Sequence, residues 1–251
     1  MREKKISLET SKMGRTGWRV SHIGFGAIKL PGIGLKECGE LLNAALDGGI
    51  NFIDTADCYG DSEEKIGKVL KKRRDEYYLS TKIDERDAPG VRAKLERGLR
   101  RLQTDCIDLV FFHDVRGGEY DRLLRDGGLE ELKKAREAGK IREIAISIHG
   151  SLSLMRRAMD SGEFAVLMAA YSALDEDRLT ADLLPRVAAA GMGLVAMKPL
   201  AGGRLGHVPS DWDKNLFHGE SPAQIALRYV LSNPCISCAI PGMTSLRELK
   251  E

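Results

Sequence analysis

The chain has 251 residues, 39 Lys and Arg against 37 Asp and Glu, and a formal net charge of +2. That near-balance argues against a nucleic-acid binder held by bulk electrostatics, and 43% hydrophobic with 30% charged residues excludes a disordered chain. A chain of this length buries enough surface to need no disulfide or metal staple.

The N-terminal residues 1–18 carry charge but no apolar leader segment, so a cytoplasmic protein without a membrane span is expected. Residues 1–21, with Gly14 and Gly17, read as a hairpin able to close a barrel floor. Runs rich in Val, Ile, Leu and Phe follow at 22–28, 51–56, 77–83, 106–113, 141–148, 164–171, 193–200 and 235–241. Such runs suit strands buried on both faces of a parallel sheet. Between them, helical patterns cover 35–47, 62–72, 91–102, 129–138, 151–160, 179–190 and 222–231, and an eighth helix starts at Ser245. Gly139 and Gly191 fall where helices end, and Ser221-Pro222 opens the last full helix. The basic runs 71–74 and 97–101 read as solvated helix faces. Cys235-x-x-Cys238 has no second pair at metal spacing and reads as part of a buried strand. The expected fold is α/β, a (β/α)8 TIM barrel forming one domain over 1–251, its eighth helix incomplete at Glu251.

The stretch Gly191-Met-Gly193-Leu-Val-Ala196 matches a dinucleotide fingerprint. Its glycines follow a helix and precede a strand, the reverse of the order that fingerprint needs. It reads as a helix cap and turn.

Barrel enzymes place their chemistry where the strands end. The polar residues there are Asp54, with Tyr59 in the next loop, then Lys82, His113, Ser147 with His149, and Lys198 followed by Gly202, Gly203 and Arg204. A phenol titrates near about 10, too high for an effective acid at neutral pH. A nearby ammonium lowers that value, and a carboxylate keeps the ammonium charged. A neutral imidazole hydrogen-bonds the oxygen that receives the proton. The set suits carbonyl reduction, with hydride arriving at carbon and a proton at oxygen. Cys58, beside Tyr59, reads as a packing residue, and His149 as a loop residue.

The run Gly49-Ile-Asn51-Phe-Ile-Asp54-Thr-Ala56-Asp-Cys-Tyr59-Gly60-Asp-Ser62-Glu63 resembles a motif of the aldo-keto reductase superfamily. So do Ser80-Thr81-Lys82, His113, the run from Gly139 to Ile144, Lys198-Pro199-Leu200-Ala-Gly-Gly and Ile240-Pro241-Gly242. The resemblance implies a (β/α)8 barrel, NAD(P)H-dependent reduction of an aldehyde or ketone, Tyr59 as general acid, Lys82 and Asp54 as the pair that tunes it, and His113 as the residue orienting the carbonyl. It implies NADP(H) as cofactor ahead of NAD(H), lying across the strand ends. Gly26, Ala27, Ser147, Met168 and Met197 would meet its nicotinamide side. Lys198, Leu200, Gly202, Gly203 and Arg204 would meet its phosphates. Gly242, Met243, Thr244, Arg247 and Glu251 would meet its adenosine end. In much of the family an Asn and a Gln help hold the carboxamide; here Ile148 and Met168 stand in those places. Glu248 stands where many members have an Arg and would repel a 2′-phosphate. The loop 201–219 is expected to fold over the pyrophosphate, and the loop 114–128, with Arg116, Tyr120 and Arg122, to wall the substrate. Other readings are a catalytically weak nucleotide-binding regulatory or scaffold barrel, or a lyase or epimerase with tightly held cofactor. The expected partner is a small-molecule carbonyl substrate, with no nucleic acid and no membrane.

Overall fold

The computed structural model describes residues 8–174, 183–206 and 219–251. It opens with two strands, β1 (Thr10–Lys12) and β2 (Arg19–Ser21), paired antiparallel across a short 3-10 turn. The barrel follows as β3 (Phe25–Gly26), α1 (Leu35–Asp47), β4 (Phe52–Asp54), α2 (Ser62–Leu70), β5 (Tyr78–Ile83), α3 (Ala88–Leu102) and β6 (Ile107–Phe112). Then come α4 (Glu119–Arg125), α5 (Gly128–Glu137), β7 (Ile141–Ile148), α6 (Leu152–Asp160), β8 (Val166–Ala170), α7 (Leu184–Ala189) and β9 (Gly193–Met197). The chain continues through α8 (Pro222–Leu231), β10 (Cys238–Ile240) and α9 (Leu246–Lys250).

Among the described residues, β3 to β10 form one sheet of eight strands in sequential order, every neighbouring pair parallel. Single bridges, Ile23 to Ala239 and Gly26 to Gly242, join the first strand to the last. Gly24 N–H donates to Ala239 O, Ala239 N–H to His22 O, and Gly26 N–H to Pro241 O. The seam needs glycine: a Cβ on Gly26 would lie 2.9 Å from the carbonyl oxygens of Ile240 and Pro241. The first strand is shorter than the run 22–28 suggests because the chain turns into a 3-10 helix at Ala27–Gly32.

Strand side chains alternate between two cores. Leu109 and Phe111 point into a cluster inside the barrel with Met13, Phe52, Ala145, Met168, Val195 and Met197. Val110 and Phe112 point outward into the larger cluster that meets the helices. Each helix joins that outer layer by one stripe; α1 contributes Leu41, Leu42, Ala45 and Leu46. Ends follow local chemistry. Ser221 and Gln224 make a reciprocal capping box on α8, with Pro222 at its first turn. Gly139 and Gly191 leave α5 and α7 at φ 73° and 69°.

Several sequence expectations are adjusted. Residues 114–128 contain α4, which the sequence reading leaves as loop. Of the helix expected over 179–190, residues 179–182 lie outside the described residues, as do residues 207–218 of the loop 201–219. The basic runs are not merely solvated. Arg74 donates to Asp108 at 2.5 Å and to the carbonyls of Tyr77 and Cys106. Arg97 and Arg101 reach Asp57. Among the described residues, no helix is long and apolar enough to cross a membrane.

The hairpin of β1 and β2 lies at the N-terminal ends of the barrel strands. Met13 enters the inner cluster, Trp18 stacks on Tyr78 with ring centroids 5.0 Å apart, and Arg15 N–H donates to Gly191 O. The glycines of the fingerprint-like run are therefore contact points for this hairpin.

Candidate active site

Strand parity builds the site. Phe52 faces inward, so Asp54, two residues on, does too. The same step leads from Leu109 and Phe111 to His113, from Ala145 to Ser147, and from Ser80, beside Asp54, to Lys82. These polar residues form the layer above the apolar inner cluster, at the C-terminal mouth. Tyr59 comes from the loop 55–61 after β4. That loop is tied down by Thr55 N–H to Ser80 O, Asp57 N–H to Lys82 O, and a 2.8 Å hydrogen bond between the Thr55 and Ser62 hydroxyls.

Lys82 is the centre. Its Nζ donates to Asp54 Oδ2 at 2.5 Å, to Thr55 O at 2.7 Å and to the Tyr59 hydroxyl at 3.3 Å. Its side chain is 2% exposed and that of Asp54 3%. Ser80 donates to the other Asp54 oxygen at 2.7 Å. Burial disfavours charge on Lys82, but Asp54 and Tyr59 outweigh it and hold the amine above its ordinary pKa. Tyr59 does not follow the expectation of a lowered value. Burial raises the phenol, Asp54 adds to this, and Lys82 only partly opposes it. Desolvation is the largest effect, and the Asp54 charge offsets part of what the Lys82 ammonium and its hydrogen bond contribute. Tyr59 is therefore a neutral phenol at physiological pH.

The His113 ring stands edge-on to Tyr59, centroids 5.9 Å apart. Burial, then Lys82, push its pKa down to about 4, so the imidazole is neutral at physiological pH. Its backbone is pinned by Ile83 O, which accepts its N–H, and by Arg86, which donates to its carbonyl at 2.6 Å. Cys58 is exposed, not packed, with Sγ 3.4 Å from His113 Nδ1. Beside this group, His149 Nδ1 lies 3.5 Å from Lys198 Nζ and 3.8 Å from Asp114 Oδ1.

The other residues singled out by sequence fall into separate groups. Ser147 Oγ is buried and has no hydrogen-bond partner. Met168 is fully buried and Met197 nearly so, both in the inner cluster. Lys198 and Ala201 hold left-handed backbones at φ 54° and 49°, followed by Gly202 and Gly203 at 70° and 100°. Lys198 and Ala201, non-glycine residues in the left-handed region, carry backbone strain of the kind found at ligand sites, while the two glycines adopt it freely. Arg204 follows, exposed. Leu200, Gly203, Gly242, Met243, Arg247 and Glu251 line a common cavity of about 870 Å3 that does not include the Tyr59 group. Gly26 belongs to the barrel seam, and Ala27 is buried with its carbonyl accepting from Ser62. Thr244 N–H and Oγ both donate to the Glu248 carboxylate, at 2.6 and 3.0 Å. Tyr120, expected in the substrate wall, is buried on Phe164 with the Arg157 guanidinium over its ring. Arg116 pairs with Asp114 and Arg122 with Asp126. Sequence reasoning missed Arg86 and the Cys58–His113 contact; both lie in loops without periodicity. Among the described residues, no group of three or more His, Cys, Asp or Glu is placed to hold a metal.

The parallel eight-stranded barrel brings a carboxylate, an amine, a phenol and an imidazole to one mouth, a set able to move a proton, and comparison with known proteins gives the family. The profile of the Aldo/keto reductase family matches residues 22–209. The chain belongs to the aldo/keto reductase family and is an oxidoreductase enzyme. It is 29% identical to L-galactose dehydrogenase of Arabidopsis thaliana, over 97% of this chain and 86% of that protein. It is 30% identical to the uncharacterized oxidoreductase YrpG of Bacillus subtilis, over 97% of this chain and 90% of that protein. The holo form of aldo-keto reductase AKR11C1 from Bacillus halodurans superposes with a TM-score of 0.84 at 25% identity, covering 97% of this chain and 89% of that one. Family membership carries nicotinamide cofactor use and a small-molecule carbonyl substrate.

Proposed function

We propose that the chain reduces a small aldehyde or ketone to an alcohol, with Tyr59 as general acid and NADP(H) as cofactor. The observation that carries this is the single hydrogen-bonded group of Asp54, Lys82 and Tyr59 with the neutral His113 beside it. The residues at the mouth fit a nicotinamide: the buried, unpartnered Ser147 hydroxyl suits a carboxamide, and the turn through Gly202 and Gly203 leaves open space where side chains would stand. When bound, the reduced nicotinamide supplies hydride to the carbonyl carbon. Tyr59 gives its proton to the developing alkoxide, and Lys82 stabilises the phenolate left behind. Asp54 keeps Lys82 charged. His113, neutral, hydrogen-bonds the carbonyl oxygen and orients it.

The test is Tyr59→Phe. It should lower kcat by about 10²–10⁴ while leaving NADPH binding, read by fluorescence titration, within about twofold. Unchanged turnover rejects Tyr59 as the acid. Glu248 bears on the cofactor. Its carboxylate already satisfies the Thr244 donors, so a 2′-phosphate there competes with a like charge. Glu248→Gln should tighten NADPH about fivefold and leave NADH little changed. An equal response of both cofactors removes Glu248 from cofactor choice.

A further inference from the structure

Cys58 stands at the edge of the mouth, and the scheme above gives it no part. Its Sγ lies 3.4 Å from His113 Nδ1, within reach of an S–H···N hydrogen bond. A neutral imidazole has one ring proton: one nitrogen donates and the other accepts. Which one does each decides whether the ring can donate to a substrate oxygen at all. The His113 backbone is fixed on both sides, by Ile83 O and by Arg86, so the ring has little freedom beyond its side-chain torsions. The charged and titratable groups acting on it are Lys82, Asp114, His149 and Asp84; burial, Lys82 and His149 keep it neutral against the opposing pull of Asp114 and Asp84. Although the residue as a whole is exposed, partial desolvation of the Cys58 thiol, with Asp84, raises it above its ordinary value. A thiol that keeps its proton offers that proton to a bare ring nitrogen.

We propose that Cys58 is a positioning residue: its S–H donates to Nδ1 of His113 and fixes the tautomer that carries the proton on Nε2. The free Nε2–H is then the donor that holds the substrate carbonyl oxygen. This rests on the reductase reading for its consequence, but not for its observation. Serine at this place keeps a donor; alanine does not. An alanine variant lets the proton move to Nδ1, which leaves part of the population without a donor for the substrate.

The experiment is a long-range proton–nitrogen correlation spectrum of 15N-histidine-labelled protein without substrate, with His113→Gln to assign the peaks. Wild type and Cys58→Ser are expected to show an unprotonated Nδ1 and a protonated Nε2, and Cys58→Ala a mixture. Cys58→Ala should lower kcat for carbonyl reduction about three- to tenfold, with KM for NADPH unchanged and Cys58→Ser within about twofold of wild type. A protonated Nδ1 in wild type, or a Cys58→Ala spectrum identical to wild type, overturns the proposal. So does a kcat in Cys58→Ala equal to wild type. Because the spectrum needs no turnover, a tautomer change in a protein that reduces no carbonyl rejects the reductase reading, not the Cys58–His113 hydrogen bond.

Discussion

Lys82 has three protons and three acceptors, in Asp54, Thr55 and Tyr59. Its geometry is therefore fully determined, and so is the position of the Tyr59 oxygen. Because burial and Asp54 outweigh Lys82, the phenol keeps its proton at neutral pH. His113 has its own pH signature. Its ordinary pKa is about 6.5, and in the fold it is about 4. Between those values the unfolded chain binds a proton at this residue and the folded chain does not. Stability from this residue is thus complete above pH about 6.5 and is lost as pH falls towards about 4. Replacing His113 by Gln should remove that share. Urea unfolding at a series of pH values should show wild type losing more stability than His113→Gln between pH 7 and 5. Parallel curves would refute the buried neutral imidazole. Asp54, Lys82, His113 and Ser147 were legible in the sequence because they are the polar residues at the ends of apolar runs, where barrel enzymes place their chemistry. Tyr59 was legible as a phenol in the loop after Asp54, and its motif reinforced that reading. Cys58 and Arg86 were not, since a loop has no period to assign a side chain's direction.

Among the elements, the loop 55–61 that carries Tyr59 depends on α3. The Asp57 side chain, 5% exposed, lies against Lys94 at 2.6 Å, Arg97 at 2.5 Å and Arg101 at 3.3 Å. Burial alone would raise the Asp57 pKa, but hydrogen bonds from Arg97 and Lys94 outweigh it and hold the carboxyl below its usual range. Asp57→Ala leaves three cations facing one another and frees the loop. We expect a loss of about 1.5–3 kcal/mol in urea unfolding and a fall in kcat larger than the change in NADPH affinity, since the loop positions Tyr59. Normal kcat in a destabilised variant would confine Asp57 to stability. The pairing was hidden in the sequence: Asp57 and Arg97 are 40 residues apart, and periodicity identifies a helix face without naming what it meets. α4 was hidden for another reason. Its buried residues are Tyr120 and Leu123, and two apolar positions among glycines and acidic residues do not make a readable stripe. Strand and helix alternation was legible because every barrel strand is buried on both faces and every crossover must bury one stripe.

On the scale of the whole molecule, the two barrel ends have different work. The mouth holds the polar layer; the floor is closed by the hairpin of β1 and β2. That closure has almost no slack. Gly14 has φ +50°, and a Cβ there would lie 2.2 Å from Gly193 N, 2.4 Å from Met192 C and 2.6 Å from Gly191 O, all backbone atoms. No side-chain rotation relieves this clash, so the hairpin or the start of β9 must move. Met13, the neighbour of Gly14, would then leave the inner cluster, where it is fully buried. Gly14→Ala should therefore lower the melting temperature by about 5–10 °C. Asp54, Tyr59, Lys82 and His113 lie at the opposite ends of the strands, with the apolar layers of the inner cluster between, so kcat at 20–25 °C should stay within about twofold of wild type. Melting curves and turnover measured on the same preparation check both halves. A loss of turnover that tracks the loss of stability would mean that the barrel transmits strain from floor to mouth, and that its two ends are not independent.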